Sequence, residues 1–483
     1  MTEASRADLE GRVDDFLLRR MGAGPFRLRR LVPVPGANRF DLGFKLAWLD
    51  ARARGGAAWA DGLYERHLAA FSLGDMREPG SDKHGIARFR GDFEALARDI
   101  AAGGFDPERS LVPLAADGTL LNGGHRAACA IAAGREVAAV ETGLEPMRFD
   151  HRFFADRGMA EADLDAAAIR MIEAMPHAAV ALLWPAARGR DGEAARILGP
   201  LVYRRAVPLS PEGGHVLLSR VYRGEPWLGA PEADFPGIRR KRDACFAGSD
   251  TLRVLVFDAP PDRDRVALKA EVRALYGIDK SSIHITDTHA EAVEIAHLLL
   301  NPSARHFLEH GAPMRFERTR AHLGAVGAWM AGHRMAPDAF AVDTGMVLGL
   351  YGLRAPDDVD VVSPAPLPPG PVERHEDAHR GAPPAEVLSD PALHFRFAGI
   401  TFASLAAVAA LKRRRLAGRD REDLLRIEPL LAATAGGARP APPASLRWRF
   451  AMLRVRRAAI RGLMAVGLGP PLRRAWRRLR PRA

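Results

Sequence analysis

The chain has 483 residues, of which 47% are hydrophobic and 27% charged, a composition typical of a folded protein with about three domains. Its two cysteines, Cys129 and Cys245, argue against a disulfide framework or a cysteine-based zinc site and favour a reducing compartment. The net charge of +11 belongs to residues 446–483, which contain twelve arginines and no acidic residue; the rest of the chain sums to −1. No specific nucleic-acid binding is therefore expected of the folded part.

The pattern of elements predicts an α/β and α+β multidomain chain. Its beginning, MTEASRADLEGRVDDFLL, has no apolar run long enough for a signal peptide or a membrane span, so a cytoplasmic protein is expected. We predict five segments: a helix and basic linker (1–39), a first α/β unit (40–145), a second (146–302), a third (303–433), and a Pro/Gly linker with a basic tail (434–483).

In the first unit, a predicted strand from Ser110 to Leu114 leads to the turn Asp117-Gly118. A short strand, Thr119 to Leu121, then precedes Asn122-Gly123-Gly124 and a helix predicted to begin near His125. Glycines before a helix leave backbone N–H groups free at the positive end of its dipole, which predicts an anion site beside His125 and Arg126. The alternative is a plain Gly-rich turn with Arg126 in a surface ion pair.

Asp117-Gly118 followed by the run NGGHRAA resembles the core of the ParB/sulfiredoxin fold over residues 83–142. The resemblance implies a nucleotide-binding module that contacts the phosphates of ATP or CTP and is kinase-like. Gly124 stands where sulfiredoxins have their catalytic cysteine, which argues against sulfiredoxin chemistry and leaves Cys129 as a core thiol. The nucleotide-binding residues that it implies are Asp117, Asn122, Gly123, Gly124, His125 and Arg126.

In the second unit, strands are predicted at 178–183 and 201–209, and the following strand–helix–strand–helix pattern predicts a βαββαβ ferredoxin-like sandwich. His284 ends a short strand, with Asp287 and Thr288 next and Glu291 on the following helix. Such neighbours can orient an imidazole and leave one nitrogen to accept a phosphoryl group. The alternative is a structural histidine.

The order of Arg273, Tyr276-Gly277, Ser281, His284 and Glu291 resembles the active-site segment of nucleoside diphosphate kinases. The resemblance implies a related fold, a phosphohistidine at His284 and a phosphate contact from Arg273. Two departures accompany it. The family's K-P-D strand falls on Trp184-Pro185-Ala186, without its Lys or Asp, and Ser281 replaces an Asn.

In the third unit, Gly345 lies in a predicted turn, and Asp358 and Asp360 alternate on a predicted strand. Alternation places both carboxylates on one face, where they can share Mg²⁺ and present it to a nucleoside triphosphate. The alternative is an exposed strand edge with Arg354 as the counter-ion.

The spacing from Gly345 to Asp358 and Asp360 resembles the signature of the polymerase-β-type nucleotidyltransferase fold over residues 335–430. The resemblance implies catalysis and metal binding by the two aspartates, and nucleotide contacts from Gly345 and Lys412. Met346 departs from the family's Ser or Gly. The later strand offers His394 and Arg396 where a third carboxylate is expected, so a binding-only fold is an alternative.

The tail places Trp448, Met452, Val455, Ala459, Leu463 and Val466 on one stripe of a predicted helix, with arginines on the other side. That pattern predicts an interfacial helix on an anionic membrane, here the inner face. A disordered basic tail and nucleic-acid binding are alternatives.

These features together predict a Mg²⁺-dependent nucleotidyl- or phosphoryl-transferase with an unknown small-molecule or glycan acceptor. A composite of such modules with a membrane-binding tail resembles proteins of bacterial cell-surface polysaccharide synthesis. An ATP-dependent small-molecule kinase acting through the first unit, and a catalytically inactive nucleotide-binding scaffold, are the alternatives.

Overall fold

The computed structural model describes residues 2–77, 83–375 and 380–434, together with six isolated helical positions between 448 and 462. The described residues form a mixed α/β protein with two four-stranded sheets and one five-stranded sheet. Most of the predicted tail lies outside them. Of its apolar stripe, Trp448, Met452, Val455 and Ala459 are described, and all four are exposed.

The N-terminal sheet has the strand order β1-β2-β4-β3, in which only β3 and β4 run parallel. Its strands are β1 (Thr2–Ala4), β2 (Phe26–Leu31), β3 (Val112–Leu114) and β4 (Val137–Glu141). The helices of this unit are α1 (Asp15–Leu18), α2 (Asp41–Ala53), α3 (Ala58–Ser72), α4 (Ile86–Gly103) and α5 (Gly124–Ala132).

Two predictions for this unit need correction. Residues 1–39 are not only a helix and linker, because they supply β1 and β2 to the sheet. Arg27 and Arg29 of β2 alternate with Phe26 and Leu28, which gives residues 26–29 the two-residue period of a strand with one exposed face. The predicted strand from Thr119 to Leu121 is only an isolated bridge between Leu114 and Leu120.

The middle sheet is antiparallel, with the order β6-β7-β5-β8. Its central strand β5 is buried throughout, whereas the edge strand β6 exposes Arg204, as expected for an edge with one solvated face. The strands are β5 (Ala178–Leu183), β6 (Leu201–Pro208), β7 (Thr251–Asp258) and β8 (Ile283–Ile285). The helices are α6 (His151–Ala155), α7 (Glu161–Ala174), α8 (Asp191–Leu198), α9 (Pro211–Val221), α10 (Ile238–Cys245), α11 (Arg265–Tyr276) and α12 (His289–Leu300).

The C-terminal sheet is mixed, with the order β11-β10-β9-β13-β12. Its strands are β9 (Ala341–Val342), β10 (Asp360–Val362), β11 (Glu373–Arg374), β12 (His394–Phe397) and β13 (Ile400–Ala403). The helices are α13 (Pro302–His310), α14 (Glu317–Gly332), α15 (Thr344–Leu350), α16 (Pro384–Ser389), α17 (Leu405–Arg415) and α18 (Asp420–Thr434).

One hydrophobic core extends through all three units, from Phe40 to Ile427. Helix α2 packs on α7, and α12 packs on α7, α13 and β12. An ion pair also crosses the junction between the middle and C-terminal units: Arg396 on β12 lies 3.2 Å from Glu173 on α7. The units therefore share their packing, and the candidate sites lie on one connected scaffold.

Candidate active site

A wide basic cleft opens beside β8, with a volume of about 860 Å³. Its walls come from the end of α9, from α10, from α11 and from the start of α12. The residues that line this basic cleft are Arg220, Val221, Tyr222, Arg223, Glu225, Trp227, Gly237, Arg240, Lys241, Ala244, Lys269, Arg273, Lys280, Ser281, His284, Asp287, Thr288 and Glu291.

His284 is held in place by the first turn of α12. The Thr288 side chain caps this helix by accepting a hydrogen bond from the Glu291 amide at 3.1 Å. The Glu291 carboxylate then accepts hydrogen bonds from His284 Nε2 at 2.8 Å and from the Asp287 amide at 2.7 Å. The sequence T-x-x-E therefore fixes the carboxylate, which in turn fixes the imidazole ring. Because Nε2 is engaged, Nδ1 is the ring nitrogen left to meet a ligand.

The pKa of Glu291 is below its ordinary value. Burial alone would raise this pKa, but hydrogen bonds from His284 and from the Asp287 amide outweigh burial and favour the ionised carboxylate. An ionised Glu291 is the form that can stabilise positive charge on the His284 ring.

The cleft carries a large excess of positive charge. Its lining includes seven Lys or Arg side chains and three carboxylates, a net charge of +4. The Nε atom of Arg273 is buried and has no hydrogen-bond partner among the described residues. Lys241 is partly desolvated, which lowers its pKa. Such a concentration of cations suits a ligand with several negative charges, such as a nucleoside triphosphate.

Two aromatic side chains complete the cleft wall. The rings of Tyr222 and Trp227 lie 5.2 Å apart, and Tyr222 lies 5.7 Å from the ring of His284. Trp227 is 43% exposed, which is unusual for so large an apolar side chain. Its indole is therefore available to stack against a planar ring of a ligand.

The predicted glycine turn of the first unit does form, and α5 begins at Gly124, one residue earlier than predicted. Gly123 has a φ of 79°, a conformation that favours glycine. Asn122 and His125 line a cavity at this turn, but Arg126 does not and donates to the Leu111 carbonyl at 3.1 Å. Asp117 is exposed and accepts hydrogen bonds from the amide and the hydroxyl of Thr119. Its carboxylate therefore stabilises its own turn and does not line the cavity.

The third predicted site is more open. The strand β10 begins at Asp360, so Asp358 precedes the strand and is exposed, rather than sharing the strand as predicted. Gly345 is the second residue of α15 and does not lie in a turn as predicted. A Cβ atom at Gly345 would lie 4.0 Å from the Asp358 carboxylate, so this carboxylate lies beside the start of α15. The Thr344 hydroxyl donates to the Asp360 carboxylate. Met346 is buried in the core.

Lys412 is engaged inside the fold. Its ammonium lies 3.0 Å from Asp420 and 2.8 Å from Asp423, and the side chain is buried. Asp423 also pairs at 3.1 Å with Arg354, the residue predicted as the counter-ion of the strand edge that carries Asp358 and Asp360. Lys412 thus makes two internal ion pairs that join α17 to α18, and its predicted nucleotide contact stays a prediction.

In the predicted third-carboxylate strand, His394 donates from Nδ1 to the Val387 carbonyl at 2.9 Å, and Arg396 pairs with Glu173. Among the described residues, no group of three His, Cys, Asp or Glu side chains is close enough together to hold a metal ion. Within the same residues, no helix is both long and apolar enough to cross a membrane.

Comparison with family models, with curated proteins and with solved structures finds no match for this chain. The structure brings His284 and Arg273 together in the basic cleft and places the other predicted site residues in the first and third units.

Several functional candidates escape the sequence analysis. The cleft wall from the end of α9 to α10 includes Tyr222, Trp227, Arg240 and Lys241, which no sequence motif connects with His284. The run IRRKRDAC is a sequence signal for it, because its cations are too dense for an ordinary helix face. A second missed group lies on α2, where Asp41 and Lys45 interrupt an apolar helix.

Proposed function

We propose that this chain is a nucleotide-dependent phosphotransferase that accepts a phosphoryl group on His284. The observation that carries the proposal is the imidazole fixed on Glu291 within a cleft of net charge +4. A fixed ring presents one nitrogen in a constant direction, and the cations neutralise the phosphates that approach it.

The reaction has two balanced steps. In the first, Nδ1 of His284 attacks the γ-phosphorus of a nucleoside triphosphate, a P–N bond forms, the P–O bond to the β-phosphate breaks, and the diphosphate leaves. In the second, an acceptor hydroxyl oxygen attacks the phosphorus, its proton passes to solvent, the P–N bond breaks, and the neutral imidazole is restored. Glu291 stabilises the ring charge, and Arg273 and Lys280 offset the charge of the phosphates. Mg²⁺ carried by the triphosphate adds to this neutralisation.

The chain order of the middle sheet supports the predicted nucleoside diphosphate kinase-like fold. The unit β5-α8-β6 interleaves with β7-α11-β8, so that β5 and β7 lie at the centre, the arrangement of a split βαβ sandwich. Helices α9 and α10 are inserted between β6 and β7 and form the wall opposite His284.

The test is phosphorylation of the full chain with γ-labelled ATP and Mg²⁺. We expect a label that is stable to base and labile to acid, as a phosphoramidate is. His284→Asn removes it, and His333→Asn, at an exposed position on the C-cap of α14, retains it. A label that survives in His284→Asn refutes the proposal. Nucleotide binding without a label or a diphosphate product, with a cell extract supplying acceptors, supports the inactive scaffold instead.

Nucleotidyl transfer at Asp358 and Asp360 is a second candidate. It is favoured by the Asp358 carboxylate beside Gly345 at the start of α15, between β9 and β10, which is where a triphosphate would approach. Two carboxylates suit Mg²⁺, which keeps several waters and binds phosphate oxygens. Pyrophosphate release that is lost in Asp358→Asn and Asp360→Asn, but retained in His284→Asn, supports this candidate.

The acceptor and the cellular place follow from the other predictions. We propose a small-molecule or glycan acceptor, in keeping with the resemblance to polysaccharide-synthesis proteins, and attachment of the tail to the inner face of a membrane. The kinase-like role of the first unit stays a prediction.

A further inference from the structure

The glycine turn of the first unit faces a cavity of about 500 Å³, here called the N-terminal cavity. Three charged side chains that line it are almost completely buried: Arg39, Asp41 and Lys45. The Asp41 carboxylate accepts hydrogen bonds from the Arg39 guanidinium at 2.8 Å and from the Lys45 ammonium at 2.7 Å. One buried carboxylate thus holds two cations, and the cluster retains one positive charge where water is largely excluded. A buried excess charge is costly unless a counter-charge meets it.

The N-terminus of α5 lies against this cluster. A Cβ atom at Gly124 would lie 2.4 Å from Arg39 Nη2 and 2.7 Å from Asp41 Oδ2, so only glycine allows so close an approach. The free amides at the start of this nine-residue helix add their partial positive charge to that of the cluster.

A histidine on α3 supplies an independent indication of a ligand. His67 is 1% exposed and lines the cavity. Apart from a contact with the Tyr64 backbone that falls short of a hydrogen bond, neither ring nitrogen has a partner among the described residues. Burial, and then the Lys45 ammonium, hold the pKa of His67 well below its usual range. The ring is therefore neutral at pH 7 and can donate or accept one hydrogen bond without adding charge.

The remaining walls of the cavity are mainly apolar. They come from α3 and α4, from the segment around Phe16 and from the segment before α6. The apolar side chains that close around the charged cluster include Phe16, Leu68, Phe71, Phe89, Met147 and Phe149. The cavity thus has one cationic end and an apolar body.

We propose that the N-terminal cavity binds a small organic acid with a single carboxylate and an apolar, preferably aromatic, body. The carboxylate lies between Lys45, the amides of α5 and His67, and the body packs against the apolar walls. Charge distinguishes this ligand from a nucleotide. The cavity lining has three cations and two carboxylates, a net charge of +1, whereas the basic cleft has a net charge of +4. A triphosphate matches the cleft, and a monoanion matches the cavity.

The test is calorimetric titration of the full chain with four probes: 3-phenylpropionate, its neutral amide, inorganic phosphate and ATP. We expect the acid to bind at least tenfold more tightly than the amide. Lys45→Met weakens binding of the acid at least tenfold. Met147→Trp, which fills the apolar body and leaves the charges intact, weakens acid and amide alike. Arg135→Met, at an exposed arginine of the same unit, changes nothing.

Four results would overturn the proposal. The first is equal affinity for acid and amide, and the second is an affinity for the acid that survives Met147→Trp. The third is ATP or phosphate binding that Lys45→Met and Met147→Trp both abolish, because the cavity would then be a phosphate site. The fourth is a folded chain that binds neither the acid nor the amide. Met147→Trp keeps the test decisive if Lys45→Met does not fold.

Discussion

Substituting Lys412 by methionine separates a structural lysine from a nucleotide-binding one. The two side chains are similar in volume, so the change removes a charge and leaves little cavity. The ammonium that is lost pairs with Asp420 at 3.0 Å and with Asp423 at 2.8 Å, and all three side chains are at most 4% exposed.

The size of the effect follows from the partners that remain. Removing one member of a buried ion pair costs about 3–5 kcal/mol when the other charge is left without compensation. Here Asp420 keeps Arg415 at 2.8 Å, and Asp423 keeps Arg354 at 3.1 Å. We therefore expect a loss near the lower end, about 3 kcal/mol. For a unit of 150–250 residues, that loss lowers Tm by about 6–12 °C.

The assay is thermal unfolding of the full chain, with binding of a fluorescent ATP analogue measured in parallel below the transition. Lys280→Met is the matched control, because Lys280 lines the basic cleft and makes no ion pair among the described residues. We expect Lys412→Met to lower Tm and keep nucleotide binding, and Lys280→Met to weaken binding and keep Tm. Unchanged Tm with lost nucleotide binding in Lys412→Met would show that the lysine contacts phosphate, as the sequence predicts.

Three further predictions concern the cleft, the junction and the tail. Glu291→Gln removes a charged hydrogen bond from the His284 ring, worth about 1.5–3 kcal/mol, and should slow labelling by ATP about 10- to 100-fold; an unchanged rate contradicts the clamp. His297 has its pKa lowered from 6.5 to about 4, by burial first and then by Arg396. The contribution of His297 to the free energy of unfolding is complete above pH 6.5 and falls by about 3 kcal/mol as the pH approaches 4. Urea unfolding at pH 7 and pH 4 should therefore show a smaller acid-induced loss of stability in His297→Gln than in the unaltered chain. Deleting residues 435–483 should abolish sedimentation with anionic vesicles, whereas neutral vesicles should bind neither form; retained binding to anionic vesicles assigns the attraction to the folded part.

Long apolar runs were the most predictable part of the fold. The strand at Ala178–Leu183 has the predicted bounds, and the following edge strand ends one residue earlier than predicted, because both are specified by their own burial pattern. The helix after the glycine turn was predicted to within one residue, since glycine at its start is a local requirement.

What the sequence could not supply was pairing at a distance. The partners of Lys412 lie 8 and 11 residues further along the chain, on another helix, so its motif spacing is equally compatible with a ligand contact and with an internal ion pair. Likewise, Asp41 and Lys45 become a site only because Gly124, about eighty residues away, approaches them. No local sequence pattern predicts that Gly124 approaches these two side chains.

The three candidate sites differ in how firmly their reactive groups are held. The first turn of α12 carries Glu291 at the basic cleft and, six residues or about 9 Å later, the helix presents His297 to Glu173 at the junction of the units. The carboxylate that orients His284 is therefore part of an element packed against α7, α13 and β12. Asp358, by contrast, is exposed ahead of its strand. A phosphoryl acceptor needs a fixed direction of attack, and His284 is the residue for which the fold provides one.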